Sequence, residues 1–192
     1  MRIVGGEWGG RPLVTPAGST TRPTSDALRE TIFNVLDHGL GHTPVHVLDL
    51  FAGTGALAFE ALSRGAETAI FVEADPKALT CIRRNIDALK VASNSVRIFD
   101  KDRVESWGRW LAEEAAGFVP FDTIFCDPPY EKNLPARAMR VLDVYAAQLF
   151  TPETVLVLEI STREKEPILE TWEVLKDRVR GSTRVIYYRR KA

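Results

Sequence analysis

The chain has 192 residues, with 25 Lys and Arg against 26 Asp and Glu and a formal net charge of -1. At roughly 150 residues per domain this is one domain with room for a small appendage, long enough to bury a core without disulfide staples. A composition that is 45% hydrophobic and 27% charged excludes global disorder, two cysteines (Cys81 and Cys126) exclude a disulfide scaffold, and no run of about 18 apolar residues offers a membrane span.

The opening MRIVGGEWGGRP carries no apolar leader, so the expected address is the cytoplasm with both thiols reduced. Gly5, Gly6, Gly9 and Gly10 punctuate Ile3-Val4 and Leu13-Val14, which predicts a small hairpin or extended arm over residues 1–23, ahead of a domain over 24–192. A helix follows, capped by Thr24 or Ser25, with Leu28, Ile32, Val35 and Leu36 as its apolar stripe. Residues 45–50 read as a strand, then a glycine turn leads into the helical ALAFEALSR, stopped by Gly65. Residues 68–72 are a second strand, closed by Glu73, and a long helix starts at Pro76 and runs to about Val91. Strands at 96–99, 123–126 and 154–160 alternate with helices at 104–116 and 134–149. This alternation predicts an α/β, doubly wound fold with a mostly parallel sheet and helices on both faces. The end breaks it: 172–180 and 183–189 flank Gly181-Ser182 as an antiparallel C-terminal hairpin.

Charge is unevenly spread. Residues 178–192 hold six basic residues and no acid, and the middle of the chain carries about -8. A basic tail on an acidic body suggests a polyanion partner, and a solvated C-terminal strand explains the same residues equally well. His38, His42 and His46 read as surface or packing residues, and no metal site is signalled.

Three motifs carry chemistry. Asp49-Leu50-Phe51-Ala52-Gly53-Thr54-Gly55 follows a strand and opens a helix, so its glycines permit a tight turn with close backbone approach to a ligand. It lacks the lysine of a phosphate loop and the third glycine of the dinucleotide fingerprint. Glu73 closes the next strand 24 residues after Asp49, where an acid can accept both hydroxyls of a ribose. Asp127-Pro128-Pro129-Tyr130 then follows an apolar strand. Its prolines fix the backbone and remove two donors, which leaves carbonyls and a carboxylate facing one spot beside an aromatic ring. That set suits a planar amine, with acceptors for its hydrogens and a ring to stack on it.

These pieces together resemble the class I S-adenosylmethionine-dependent amino methyltransferases. With RIVGGEWGGRPL, TRPTSDALRETIFNVL, LDLFAGTGALAFEALSRGA, FVEAD and FDTIFCDPPY taken in order, nearly the whole chain resembles the bacterial 16S ribosomal RNA guanine-N2 methyltransferase family. It departs at Ala27, where that family usually has a basic residue, and at Ala58, where it usually has glycine. The resemblance implies a Rossmann-like, seven-stranded sheet and S-adenosyl-L-methionine as cofactor. Asp49 would orient the methionine end, and Phe51, Ala52, Gly53, Thr54 and Gly55 would form the loop around it. Glu73 would hold the ribose. Asp102, or less favourably Asp100, would accept from the adenine amine, and Ala74 and Arg103 would flank the ring. A helix N-cap is the competing reading of Asp102. Asp127, Pro128, Pro129 and Tyr130 would form the chemical centre. Arg2, Trp8, Arg11, Arg22, Tyr130, Arg189 and Arg190 would contact RNA, with a packing anchor as the alternative for Trp8. The implied partner is 16S rRNA or the small ribosomal subunit, with neither DNA nor membrane involved; a monomer is expected because no exposed apolar stripe stands out in the sequence.

Two rival readings remain. One is an amino methyltransferase for another nucleic-acid base or a protein glutamine, which the Asp-Pro-Pro-Tyr core alone would permit. The other is a non-catalytic RNA-binding assembly factor, which an intact glycine loop, Glu73 and Asp127 together disfavour. An NAD-dependent oxidoreductase fits less well, because the glycine spacing fails.

Overall fold

The computed structural model describes residues 1–16, 25–101, 103–129 and 133–191. Seven strands form one sheet: β1 (His46–Leu50), β2 (Thr68–Glu73), β3 (Val96–Asp100), β4 (Phe121–Cys126), β5 (Phe150–Ser161), β6 (Trp172–Arg180) and β7 (Thr183–Arg190). Their spatial order is β3-β2-β1-β4-β5-β7-β6. The first five are parallel, and β7 joins antiparallel to both β5 and β6. The parallel strands are nearly continuous runs of Val, Ile, Leu and Phe because helices bury both faces.

One face is covered by α1 (Asp26–Asn34), α2 (Ala56–Ser63) and α3 (Pro76–Leu89). Phe33, Phe59 and Ile82 there meet Val47, Phe71, Phe125 and Tyr187 of the sheet. The other face is covered by α4 (Trp107–Glu114), α5 (Leu134–Asp143) and α6 (Ala146–Leu149). Strand alternation divides the two cores: Val47 points to the first, Leu48 and Leu50 to the second.

The helices differ from the expected ones in two places. Ser25 caps α1 through its side chain, but the helix widens into a π-helix over Val35–Leu40, ending at left-handed Gly41. The single helix expected over 134–149 is two. Tyr145 leaves the helical path (φ -108, ψ 16) and lays its ring against Gly108, where an added Cβ would lie 2.6 Å from the ring. Strand β5 also starts earlier, at Phe150, with the Thr154 hydroxyl donating to the Phe121 carbonyl across a register shift.

Of the expected arm over residues 1–23, residues 1–16 are described and turn back on themselves through an isolated bridge between Arg2 and Pro12, while 17–23 lie outside the described residues. Ile3 N–H donates to the Arg11 carbonyl, and Leu13 N–H donates to the Met1 carbonyl. Ile3 and Leu13 are buried in the α1–α3 core. Among the described residues no helix is long and apolar enough to cross a membrane.

Candidate active site

Parallel pairing brings the carboxyl ends of four strands to one edge: Leu50 lies opposite both Val72 and Cys126, and Glu73 lies opposite Asp100. Strand order reverses between β1 and β4, so the loops after them diverge and leave a crevice, the usual ligand position in such sheets.

Asp49 is 2% exposed, and its carboxylate accepts from the Ala58 N–H at 3.2 Å. Phe51, Gly53 and Gly55 that follow all have positive φ (58°, 56° and 76°). A phenylalanine held there stores local strain, and its ring is fixed edge-on against Trp107 at 5.0 Å. The two glycines do different work. A Cβ on Gly55 would stand 2.7 Å from the Phe71 ring and 2.8 Å from the Phe59 ring, so Gly55 lets α2 pack. A Cβ on Gly53 would meet nothing nearer than the Phe51 carbonyl at 4.0 Å, so Gly53 keeps the loop open to a ligand. Ala52 N–H donates to the Val72 carbonyl, and the Thr54 carbonyl accepts from the Asn85 side chain.

Glu73 ties the end of β2 to the glycine loop after β1. One carboxylate oxygen accepts from Gly53 N–H at 2.7 Å, and the other accepts from the N–H groups of Ala74 (2.7 Å) and Asp75 (2.8 Å). Arg103 is exposed just beyond β3, ahead of Trp107, whose indole donates to the Lys101 carbonyl. Asp127 and Pro128 are half-buried and Pro129 is exposed at the end of β4.

Burial holds the Asp49 carboxyl well above the ordinary carboxylate range. The Ala58 N–H opposes this, and the charges of Asp127 and Glu73 reinforce it. Burial likewise pushes the Cys126 thiol up, with Asp127 and Asp49 adding to the effect, so it is no nucleophile. Three carboxylates therefore converge on one crevice, an arrangement a cationic ligand would relieve.

Asp49, Phe51, Ala52, Gly53, Thr54, Gly55, Glu73, Ala74, Arg103, Asp127, Pro128 and Pro129 share this edge. Tyr130, Asp102 and Arg22 lie outside the described residues. Arg2 pairs with Asp26 in the first turn of α1. The remaining expected RNA contacts sit at the opposite, amino edge. Trp8 and Arg11 line a cleft with Ala66, Glu67 and Ser95, on the segments that enter β2 and β3, and Arg11 donates to the Ala88 carbonyl. Arg189 is opposite Val155 near the start of β5 and pairs with Glu173, and Arg190 is opposite Trp172. Arg180 donates to the Ala27 carbonyl at 2.7 Å, so a guanidinium stands where the resemblance leads one to expect a basic residue.

Three residues escaped the sequence reading. Glu60, fully buried, accepts the N–H groups of Val4 and Gly5, each at 2.7 Å. Ser63 accepts from Trp8 N–H and donates to the Gly5 carbonyl. Asn85 accepts from Val14 N–H and donates to the Val14 and Thr54 carbonyls, joining arm, glycine loop and α3. Their only signal was polarity on apolar helix stripes: Asn85 falls between Ile82 and Leu89 at helical spacing.

The family model described as Conserved hypothetical protein 95 matches residues 1–189. The chain belongs to this family. Several relatives carry the name Ribosomal RNA small subunit methyltransferase D, as the motifs led one to expect of the family. The Haemophilus influenzae protein is 30% identical over 191 residues, covering 98% of this chain and 92% of its own. The Escherichia coli protein is 31% identical over 197 residues, covering 100% and 91%. A solved Escherichia coli structure, under a methyltransferase name, superposes with a TM-score of 0.82 at 30% identity, covering 100% of this chain and 98% of that one. The fold is the class I methyltransferase fold, with its sheet order and antiparallel end.

Proposed function

We propose that the protein transfers a methyl group from S-adenosyl-L-methionine to the exocyclic N2 of a guanine in 16S ribosomal RNA, acting as a cytoplasmic monomer on the small ribosomal subunit. The observation that carries this is the placement of Asp127-Pro128-Pro129 beside Asp49 and Glu73 at the strand reversal. The names of the relatives support RNA of the small subunit as substrate.

The residues fit the cofactor. Converging carboxylates suit its ammonium and sulfonium charges, and the open side of Gly53 leaves room for close approach. When bound, the cofactor supplies an electrophilic methyl group. Asp49 would face the methionine end, Glu73 the ribose, and Arg103 with Asp102 the adenine. The chain's own task is positioning. The lone pair of a guanine N2 is delocalised into its ring. Acceptors at the Asp127 carboxylate and the Pro128 carbonyl hold the amine hydrogens out of the ring plane and localise that pair. Asp127 or water takes the proton released. Tyr130 stacks on the base once it has left its RNA stack.

The test is methyl transfer from labelled cofactor to unmethylated small subunits and to naked 16S rRNA, with nucleosides identified by mass spectrometry. N2-methylguanosine is expected, with Asp127→Ala lowering the rate by about 100-fold or more while cofactor still binds. Another methylated nucleoside overturns the substrate, and no transfer with cofactor bound overturns RNA as the substrate class.

A further inference from the structure

The expected phosphate contacts Arg189 and Arg190 lie at the amino edge, away from Asp127. The other end of the same hairpin is at the active edge: Arg180 and Thr183 pair across its turn, and Thr183 lies opposite Ser161 at the end of β5. Thr162 N–H donates to the Ser182 carbonyl, fastening the loop after β5 onto that turn. Arg163, Lys165, Arg178 and Arg180 on these segments are all exposed.

Acids of this region are engaged by donors of the protein itself. Glu164 accepts from the Ser161 N–H. Glu166 and Asp177 both bind Arg184, at 2.7 and 2.6 Å, and Glu166 also accepts from the Tyr188 hydroxyl. Asp26, on the neighbouring α1, is held between Arg2 and Arg29. Arg180 is pinned to α1 through the Ala27 carbonyl and the Thr31 hydroxyl, which anchors the turn. Arg163, Lys165 and Arg178 stay exposed, Arg178 donating to the Asp177 carbonyl at 3.2 Å, while their acidic neighbours are engaged.

We infer that Arg163 and Lys165, in the loop after β5, and Arg178, near the end of β6, dock the phosphates that flank the target nucleotide. This rests on the reading of the site as an RNA methyltransferase. Strands spaced about 4.8 Å apart put the stripe roughly 5–15 Å along the edge from Asp127. An unstacked base seated at Asp127 leaves its neighbouring backbone within reach. A phosphate chain suits this stripe because the positive groups are point contacts along a line.

The test compares two full-length charge-reversed proteins. One carries Arg163→Glu, Lys165→Glu and Arg178→Glu; the other carries Arg83→Glu, Arg84→Glu and Arg109→Glu on exposed helix faces. Both change net charge equally. Transfer kinetics on unmethylated small subunits are followed together with binding of naked 16S rRNA over a salt series. Cofactor affinity is measured by calorimetry. The first protein is expected to raise the KM for RNA about tenfold or more. It should flatten the slope of log affinity against log salt by roughly 2–3, as for three lost phosphate contacts, with kcat and cofactor affinity unchanged. The second should match wild type. Equal losses in both proteins would overturn the stripe and leave only long-range charge. A loss on assembled subunits with naked-RNA binding intact would also overturn it, and would point to an acidic protein surface. If wild type neither methylates nor binds RNA, the functional reading itself falls, which is a separate result from the variant comparison.

Discussion

The arm junction and the strand-end crevice are built from the same parts. In each, a carboxylate accepts from the backbone of a distant loop, two N–H groups at Glu60 and one at Glu73, and a glycine with positive φ lies at the contact: Gly6 in the first, Gly53 in the second. They differ in what surrounds those parts. Glu60 is fully buried, and a Cβ on Gly6 would fall 1.8 Å from the Ser63 carbonyl. Glu73 is half-exposed, and Gly53 faces open space. Burial turns the first set into a clasp, because no water can replace its bonds. Exposure leaves the second set exchangeable, and a ligand can take over part of it.

The comparison can be broken at each of its parts. Glu60→Ala strands two backbone donors and removes one of the two acid partners of Arg64, which keeps Asp37; denaturant unfolding should lose about 2–4 kcal/mol. Glu73→Ala should lose less than about 1 kcal/mol, since water reaches the freed amides. Its cofactor affinity, read by calorimetry, should fall tenfold or more, corresponding to about 1.4 kcal/mol or more. If the two variants trade places, the division by burial is wrong. Gly6→Ala should cost roughly 2–4 kcal/mol, combining overlap with strained φ, and should expose the arm to limited proteolysis. Gly53→Ala should show only the strain, about 1 kcal/mol.

Asp49 sharpens the contrast through pH. The folded chain holds its proton more tightly than the unfolded chain does, because burial raises its pKa. Its contribution therefore favours folding most below the ordinary carboxylate range and is lost as pH rises toward the raised value. Asp49→Asn should remove that slope, raise the melting temperature at neutral pH and weaken cofactor binding about tenfold. A melting temperature lowered at neutral pH would count against it. Arg189→Ala should do least: its pairing with Glu173 is half-exposed, so stability should move by less than about 1 kcal/mol. RNA methylation should be unchanged, since Arg189 lies at the edge away from Asp127.

Much of the crevice was legible because its signals are local. A glycine turn after a strand, an acid closing the next strand and a proline pair after the fourth are each a few residues long, and parallel pairing alone aligns them. The clasp was not legible, because it joins residues about 55 positions apart and its members look like stray polar residues on apolar helices. The helix break at Tyr145 was hidden for a similar reason: its cause is Gly108, on another helix. The position of the basic tail was not legible either: register decides which end of a hairpin lies nearest Asp127, and Arg189 and Arg190 fall on the other end.

Every one of the eight residues of α2 is buried. A helix with no solvent face cannot persist by itself, so α2 becomes stable only with the sheet on one side and the arm on the other. During synthesis the arm emerges well before Glu60 and Ser63, and must wait unpaired until they arrive. Amide exchange within α2 would then report the closing of the molecule as a whole, and a segment made before α2 would be among the last to settle.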